Sequence, residues 1–295
     1  MTRPRLAVTL GDPRGIGPEI VAAAIADARV QAACDLVVIG PEGTGTPVQE
    51  STGAWVPTGG EEAAGRLAAK AIERAVMLAQ RGDVAGIVTA PIDKYALLTA
   101  GFDDPGHTEM LARLTGANVA MMLASSKLRV VLATTHIALK DVPAALTAER
   151  IASAARITRD GLRRWYGIAE PRIALCALNP HAGEQGRFGT EERDLLAPAA
   201  RAAGIAGPFP ADTVFVRAMQ GEFDAVIAPY HDVGMTAIKV ASFGSAVNVT
   251  LGLPWPRTSP DHGTAIEIAG TGRADAASMT LAILECARIA ALTAP

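Results

Sequence analysis

Short apolar runs alternate with alanine-rich stretches of helical period along the whole chain, and this alternation restricts the fold more than any single motif does. The apolar runs have the length of one buried strand, and the stretches between them are long enough for helices. Strands and helices that alternate in this way favour a wound α/β protein over separate all-α and all-β domains. With 295 residues, 49% of them hydrophobic, the chain can bury a sizeable core.

The same pattern predicts the individual elements. Strands are predicted at residues 6–10, 36–39, 86–89, 119–123, 130–133, 173–178, 225–228 and 246–250. Helices are predicted at residues 18–28, 61–80, 109–114, 148–166, 191–203 and 274–291. Residues 40–60, rich in Gly, Thr, Pro and Ser, are predicted to form a surface loop. No linker is visible, so we expect residues 1–295 to form one catalytic unit, and two lobes would require the chain to cross between them.

Charge and cysteine content exclude several classes of partner. The formal net charge is −3 and 19% of the residues are charged, so the chain lacks the basic surface that nucleic-acid or membrane binding requires. An anionic ligand must therefore be bound by a few local cations. Cys34, Cys176 and Cys286 lie far apart, and none has a neighbour at metal-ligand spacing. The first apolar run is too short for a signal peptide or a membrane span, so we expect an unprocessed cytoplasmic protein.

The five histidines are the main functional signal, because each one lies in a Gly-, Pro-, Asp- or Thr-rich turn and none inside a periodic helix. His136, His181 and His231 each follow a predicted strand, at the end where open α/β sheets bind their ligands. Imidazole is a common ligand of divalent transition metals, and three protein ligands leave positions free for a substrate. The sequence separations of 45 and 50 residues mean that any shared site is tertiary. Three separately hydrogen-bonded loop histidines remain the alternative.

Two further groups of residues suggest ligand binding. The opening Gly11-Asp-Pro-Arg-Gly-Ile-Gly-Pro-Glu19 separates a strand from a helix, but it is neither a Walker A motif nor a Rossmann turn. It is equally consistent with a nucleotide loop and with a tight turn that packs the first helix. Lys239, Asn248 and Arg257, with His107 and Thr108, occur in segments of the same strand-end kind and could hold an anionic substrate. A solvated surface position is the alternative for each cation.

With these residues and motifs, the chain resembles the PdxA family, the 4-hydroxythreonine-4-phosphate dehydrogenases of pyridoxal phosphate biosynthesis. The matching strings extend over nearly the whole chain in the order of the family. They are the opening motif, Gly106-His-Thr-Glu109, Thr135-His136, Leu178-Asn-Pro-His-Ala-Gly-Glu184, Gly189-Thr-Glu-Glu192, Ala211-Asp-Thr213, Tyr230-His-Asp232, Asn248-Val-Thr-Leu-Gly-Leu-Pro254 and Arg257-Thr-Ser-Pro-Asp-His-Gly-Thr-Ala265. So many strings in order are far more specific than any one of them.

The resemblance implies a fold like that of isocitrate and isopropylmalate dehydrogenases, with two α/β lobes around a central cleft and no Rossmann domain. It implies a homodimer in which a metal histidine of one subunit completes the site of the other. The residues that match the family's sites fall into four groups. These are metal ligands His136, His181 and His231; substrate contacts His107, Thr108, Lys239, Asn248 and Arg257; catalytic residues Asp212, Asp232 and Lys239; and cofactor contacts His262, Gly263 and Thr264.

The implied reaction is the NAD-linked oxidation of 4-phosphooxy-L-threonine at C3, followed by loss of carbon dioxide. One divalent metal per site, whether zinc, cobalt, magnesium or manganese, would act as a Lewis acid on the developing alkoxide. NAD, or NADP, would accept the hydride. Asp212 and Asp232 would relay the hydroxyl proton or orient the imidazoles.

The chain departs from the family pattern in three places, and these departures bear on the substrate. Val233 stands where glutamine is expected, Asp93 precedes Lys94, and the region after the second strand is short. The stretch Thr89-Ala-Pro91 and Met121-Met-Leu123 resemble a paralogous branch that acts on threonate or erythronate 4-phosphates. A phosphate acyltransferase of related fold, which needs no three-histidine metal site, is the alternative from another enzyme class. A non-catalytic binding module would not explain so many polar groups in ligand-binding segments.

Overall fold

The computed structural model describes residues 3–242 and 244–293. The chain forms two compact units, the first from Met1–Asn118 with Val247–Pro295 and the second from Val119–Ala246. The chain therefore leaves the first unit once and returns to it once. Within the described ranges, no helix has both the length and the apolar content of a membrane span.

The first unit alternates strands and helices before the chain leaves it. Its elements are β1 (Arg5–Thr9), α1 (Gly17–Ala26), α2 (Ala28–Ala33), β2 (Asp35–Glu42), β3 (Glu50–Ala54), α3 (Gly60–Gln80), β4 (Gly86–Thr89), α4 (Lys94–Thr99) and α5 (His107–Thr115). After the chain returns, β10 (Val247–Leu251), β11 (Arg257–Ser259) and α11 (Ala277–Thr293) complete it. The elements between α5 and β10 belong to the second unit and are described below.

The strands of the first unit lie in the order β3-β2-β1-β4-β11-β10. All neighbours are parallel except β10 and β11, which are antiparallel. The central strand β1 is buried at every position after Arg5, because helices need an apolar sheet face to pack on. The long helix α3 buries its alanine-rich face, and α11 buries Met279, Ile283 and Cys286.

The second unit is a smaller α/β unit with its own core. Its elements are β5 (Ala120–Ala124), β6 (Arg129–Leu132), α6 (Val142–Ala145), α7 (Ala148–Tyr166), β7 (Ile173–Cys176), α8 (Ala197–Ala203), β8 (Ala206–Phe209), α9 (Ala211–Met219), β9 (Ala225–Ala228) and α10 (His231–Ala241). The strand order is β5-β6-β9-β7-β8, and only the β5–β6 pair is antiparallel. Val130, Ala174 and Val226, from three neighbouring strands, lie in one apolar core cluster.

The expected α/β class is confirmed, and elements with a strong apolar or helical period fall where the sequence predicted them. Strands β4 and β9 and helix α7 have the predicted boundaries. The prediction of a surface loop at residues 40–60 is wrong in part. Strand β2 extends to Glu42, and β3 pairs beside it at the sheet edge. The sequence of β3 is polar because this edge strand is largely exposed, so it carries no apolar period.

The prediction that every histidine lies in a turn is also wrong in part. His107 and His231 are the first residues of α5 and α10. Lys239 lies in α10, Asn248 in β10 and Arg257 in β11, so none of these three is in a strand-end loop. Helix α10 was missed because it combines a histidine, an aspartate and a glycine, which are typical of turns, in its first four residues.

Candidate functional site

The three histidines predicted as metal ligands follow three neighbouring parallel strands of the second unit. His136 follows β6, His231 follows β9 and His181 follows β7, and these strands lie in the order β6-β9-β7. Parallel strands end at the same edge of a sheet, so the fold brings all three segments to one edge. This edge is where open α/β sheets bind their ligands.

Two of the three imidazoles lie beside each other. The ring centroids of His136 and His231 are 5.5 Å apart. Nδ1 of His231 lies 2.7 Å from Oδ1 of Asp232, the next residue of α10. A carboxylate at this distance favours the tautomer with the proton on Nδ1, which leaves the lone pair of Nε2 available to a ligand. The pair therefore fits a divalent cation by the chemistry of its donors.

His181 lies in a backbone segment of unusual conformation. From His181 to Gln185, five consecutive residues have positive φ angles, between 40° and 79°. For a residue other than glycine, this left-handed conformation costs roughly 1–2 kcal/mol. The His181 ring contacts Phe188, with the centroids 6.4 Å apart. Within residues 3–242 and 244–293 of one chain, no group of three or more His, Cys, Asp or Glu residues is arranged to hold a metal.

The other predicted catalytic residues of the second unit are exposed. Asp212 is the second residue of α9, and Lys239 lies in the last turn of α10. Val233, which replaces the glutamine expected from the family, packs against the core cluster of the second unit. An apolar side chain at this position is therefore explained by packing.

Arg257 is the most buried cation of those predicted to bind an anion. Only 2% of the residue is exposed. Arg257 is the first residue of β11, in the sheet of the first unit. Nη1 donates to the hydroxyl of Thr250 at 3.0 Å and Nη2 to the hydroxyl of Thr89 at 2.5 Å, whereas Nε has no partner among the described residues. Burial lowers the pKa of Arg257 to about 10, against the attraction of Glu109. A positive charge held by two neutral hydroxyls is suited to an anion.

Two of the predicted substrate contacts also have polar atoms that are buried without a partner in the part of the chain that the structure describes. They are Nε2 of His107 and Oδ1 of Asn248. Burial, and then the charge of Arg257, hold the pKa of His107 well below its ordinary value of 6.5. His107 is therefore neutral at pH 7 and has one ring nitrogen unused. Unsatisfied buried groups of this kind are costly unless a ligand completes them.

The opening glycine-rich motif packs tightly against residues 261–272, as the interpretation of a packing turn predicts. Gly15 leaves no room for a side chain, because a Cβ atom there would lie 2.6 Å from the carbonyl oxygen of Thr264. The backbone N–H of Ile16 donates to that oxygen at 2.9 Å. Oε1 of Glu19 accepts from the backbone N–H of Gly270 at 3.2 Å. The turn therefore supports residues 261–272, the segment predicted to hold the cofactor, and Glu19 is a candidate that motif matching alone did not single out.

Asp93, the second departure from the family pattern, has a structural role. Its Oδ1 accepts from the backbone N–H groups of Tyr95 and Ala96 at 2.8 and 3.1 Å, which caps helix α4. Its other oxygen lies 3.2 Å from Arg14, whose guanidinium also pairs with the buried Asp12 at 2.8 Å. The acidic residue before Lys94 is thus part of the packing of the opening turn.

We expect the neutral His107, whose Nε2 is buried, to make the protein acid-sensitive. An unfolded histidine titrates near 6.5, whereas His107 in the folded protein titrates well below this value. As the pH falls through about 6.5, the unfolded chain therefore binds the proton first, and the free energy of unfolding decreases by up to ~1.4 kcal/mol per pH unit. A His107→Gln variant lacks this pH-dependent contribution. Urea denaturation at pH 7.5, 6 and 5 should show that the free energy of unfolding falls more steeply with decreasing pH in wild type than in His107→Gln. Parallel pH profiles would contradict it.

A desolvated arginine, and two neighbouring imidazoles that follow parallel strands, are features typical of an α/β enzyme that acts on a small anionic substrate. The chain belongs to the PdxA family: the family model described as "Pyridoxal phosphate biosynthetic protein PdxA" matches residues 20–286. The 4-hydroxythreonine-4-phosphate dehydrogenase of Desulfosudis oleivorans is 45% identical over 323 residues, with 95% of this chain and 94% of that protein covered. A Bradyrhizobium diazoefficiens protein proposed to be a D-threonate 4-phosphate dehydrogenase is 43% identical, with 99% and 98% covered.

Solved structures agree with this assignment. The crystal structure of 4-hydroxythreonine-4-phosphate dehydrogenase from Klebsiella pneumoniae is similar with a TM-score of 0.87, at 40% identity and with 98% of each chain covered. An isocitrate dehydrogenase from Methylococcus capsulatus is similar with a TM-score of 0.50 at 16% identity, over 97% of this chain and 88% of that one. At that identity the likeness shows the fold alone, and it supports the expected dehydrogenase-type α/β fold.

Proposed function

We propose that this chain oxidises 4-phosphooxy-L-threonine at C3 with NAD or NADP, and that decarboxylation of the 3-oxo acid follows, in the biosynthesis of pyridoxal phosphate. Family membership and 45% identity to a dehydrogenase of that name support it. The structural observation that carries it is Arg257, which is 2% exposed and, among the described residues, donates its hydrogen bonds to two threonine hydroxyls. A phosphate or carboxylate would supply the negative charge that this guanidinium lacks.

A dehydrogenase of D-threonate or erythronate 4-phosphate is the second candidate. The Bradyrhizobium diazoefficiens relative, at 43% identity, supports it. These acids have the same phosphate but a hydroxyl in place of the amino group of phosphooxythreonine. The anion-binding residues are therefore equally suited to both substrates, and the difference must be recognised elsewhere. A phosphate acyltransferase is disfavoured because the family's relatives are named as dehydrogenases.

For the second unit we propose one divalent cation per site, with His136 and His231 as ligands. Imidazole donors favour zinc or cobalt over magnesium, which prefers oxygen ligands. When bound, the cation would supply Lewis-acid stabilisation of the substrate oxygen. Asp232 would hold the ring of His231 in one orientation, and Asp212 and Lys239 would take part in moving the hydroxyl proton. We propose that His181 of a second copy of the chain completes the ligand set in a homodimer.

Residues 261–272, with His262, Gly263 and Thr264, are proposed to hold the cofactor, which would accept the hydride. His107, Thr108, Asn248 and Arg257 would bind the substrate. The two units would thus act together as one catalytic protein. We propose a cytoplasmic location, because Cys34, Cys176 and Cys286 are free thiols.

A panel of substrates tests the proposed function. Purified protein with NAD and zinc or cobalt would be assayed with 4-phosphooxy-L-threonine, D-threonate 4-phosphate, D-erythronate 4-phosphate and their unphosphorylated forms. We expect the highest kcat/KM with 4-phosphooxy-L-threonine and a large loss without the phosphate. A higher kcat/KM with D-threonate 4-phosphate would establish the second candidate. No NADH formation from any phosphorylated acid would contradict both.

We expect the protein to be a homodimer in solution. Apolar side chains are exposed beside two of the metal histidines: Ile137 (44% exposed) and Leu139 (65%) after His136, and Phe188 (42%) after His181. Exposed apolar side chains of this size favour burial against another chain. Sedimentation velocity at micromolar concentration should give twice the mass of one chain, and Leu139→Asp should shift the protein towards monomer with loss of activity. A fully active monomer would contradict this expectation.

We expect Glu19 to affect cofactor binding and not substrate binding. Its Oε1 accepts from the N–H of Gly270 at 3.2 Å, so Glu19→Ala frees one end of the segment proposed to hold the cofactor. The loss of one such hydrogen bond should raise the KM for NAD by about five-fold, or ~1 kcal/mol. Glu19→Gln keeps an acceptor and serves as the matched control. A raised KM for the phosphorylated acid with an unchanged KM for NAD would refute this role.

A further inference from the structure

Strand β7 is joined to the helical segment after it by a left-handed turn that carries His181. Four of its five positive-φ residues, His181, Ala182, Glu184 and Gln185, are not glycine. Such residues rarely adopt this conformation, and a run of them persists only where the surrounding contacts hold it. The contacts that hold this turn therefore decide where the imidazole of His181 lies.

The side chain of Glu192 supplies most of these contacts at the start of the turn. Oε1 accepts from the backbone N–H of Leu178 at 2.9 Å and from that of Asn179 at 2.7 Å. Oε2 accepts from Nδ2 of Asn179 at 2.9 Å. The residue is 5% exposed, so three N–H donors, rather than water, solvate this carboxylate. These contacts fix the backbone immediately before Pro180 and His181.

Glu192 also lies against the middle of the turn. A Cβ atom on Gly183 would be 2.9 Å from Oε2 of Glu192 and 3.0 Å from the carbonyl oxygen of Gly189. The carbonyl oxygen of Gly183 accepts from the N–H of Phe188 at 3.2 Å, which closes the turn. One carboxylate therefore holds the entry of the turn and contacts its centre, with His181 between these two points.

We propose that Glu192 is a positioning residue: its buried carboxylate holds the left-handed turn so that His181 is presented as a metal ligand. The inference rests on the proposed function, because it takes His181 to bind a divalent cation. Both oxygens of Glu192 are occupied by N–H donors, so the residue acts through His181 and is not itself a ligand. A ligand on a strained turn is oriented only as well as its supporting contacts allow.

The test compares Glu192→Ala and Glu192→Gln with Glu184→Gln. Glu184 lies on the same turn, but its side chain is 46% exposed and its ion pair with Arg187 is long, at 3.8 Å. Glu184→Gln therefore removes one charge from the turn and leaves the hydrogen bonds of Glu192 in place. In Glu192→Gln, the amide nitrogen in place of Oε2 would face Nδ2 of Asn179, so two donors would face each other. The hydrogen bonds to Oε1 would be kept and the one to Oε2 would be lost.

Two measurements on the full-length protein report on the turn. The first is the dissociation constant of Co²⁺ by calorimetry, with the visible spectrum of the bound ion as a record of its ligands. We expect Glu192→Ala to bind Co²⁺ about 10- to 100-fold more weakly, with altered bands, Glu192→Gln to lie between it and wild type, and Glu184→Gln to match wild type. The second is the rate of cleavage by trypsin after the exposed Arg187, measured without metal. Cleavage should be faster in Glu192→Ala than in Glu184→Gln.

Each outcome supports or overturns the proposal. Equal Co²⁺ affinity and equal spectra for wild type and Glu192→Ala would overturn the role of Glu192 and leave the metal site intact. A wild-type protein that binds no divalent cation would overturn the metal site and this inference with it. If Glu192→Ala does not fold, Asn179→Ala removes the Nδ2 donor from the same contacts and should weaken Co²⁺ binding several-fold. An unchanged affinity in that variant would also overturn the proposal.

Discussion

Replacing His231 with alanine is expected to lower kcat/KM for the phosphorylated acid by at least ~1,000-fold, because loss of a metal ligand removes several kcal/mol of Lewis-acid stabilisation. His231 is the residue of choice, since it lies beside His136 with ring centroids 5.5 Å apart and is oriented by Asp232 at 2.7 Å. The fold should survive, because His231 begins α10 at a partly exposed position. Steady-state kinetics and the metal content of the purified variant are the measurements.

Asp232→Asn is expected to act in the same direction as His231→Ala, with a smaller effect. Its side-chain oxygen can still accept from Nδ1 of His231, but the negative charge is lost. A smaller decrease in metal affinity, about 10- to 100-fold, is expected from changes in such outer-shell partners. The order wild type, Asp232→Asn, His231→Ala should hold for both metal content and kcat/KM. Wild-type activity and metal content in His231→Ala would show that this histidine is no ligand.

Replacing Arg257 with methionine should give the second largest effect, and it should separate binding from stability. Loss of a charge-assisted pair from a desolvated site is expected to raise the KM for the phosphorylated acid by about 30-fold or more, which is ~2 kcal/mol. The KM for NAD should change little, because the proposed cofactor residues 261–272 lie in a different segment of the chain. The opposite pattern, a raised KM for NAD alone, would contradict the assignment.

Without a ligand, the same variant should be as stable as wild type or more stable. The pKa of Arg257, lowered from 12.5 to about 10 by burial, means that its charged form is disfavoured in the fold by ~3 kcal/mol. At every pH below about 10 the folded and unfolded states both carry the charge, so this cost is fully present at neutral pH. An apolar residue of similar size removes it. Inorganic phosphate should raise the melting temperature of wild type and not that of Arg257→Met.

Arg257 is expected to tolerate this substitution although it does not lie in a strand-end loop. The residue lies in a strand and is buried, but its hydrogen bonds go to Thr250 and Thr89 and not to a carboxylate. A decrease in the free energy of unfolding of more than ~3 kcal/mol in Arg257→Met would show that these hydroxyl contacts matter more than the desolvated charge. Lys239→Met should raise the KM for the acid by less, because Lys239 is exposed.

The local pattern of the sequence was enough to predict the elements whose residues carry a regular period. Strands β4 and β9 and helix α7 have the predicted boundaries, because their apolar or helical period comes from their own residues. Strands β3 and β11 and helix α10 were missed. The polar sequences of β3 and β11 are stabilised by pairing with neighbouring strands, and α10 begins with turn-type residues but packs on the core, which no local pattern records.

The sequence by itself determined the α/β class, the placement of three histidines after strands, and the family through ordered strings of residues. Only the tertiary structure decided that these strands are neighbours, that His136 and His231 lie together, and that Arg257 is buried with hydrogen bonds to two threonine hydroxyls. It also decided that Glu192 supports the turn of His181. The reason is physical: desolvation, an unpaired charge and a strained backbone arise from contacts between residues far apart in the chain, and residue type alone does not contain them.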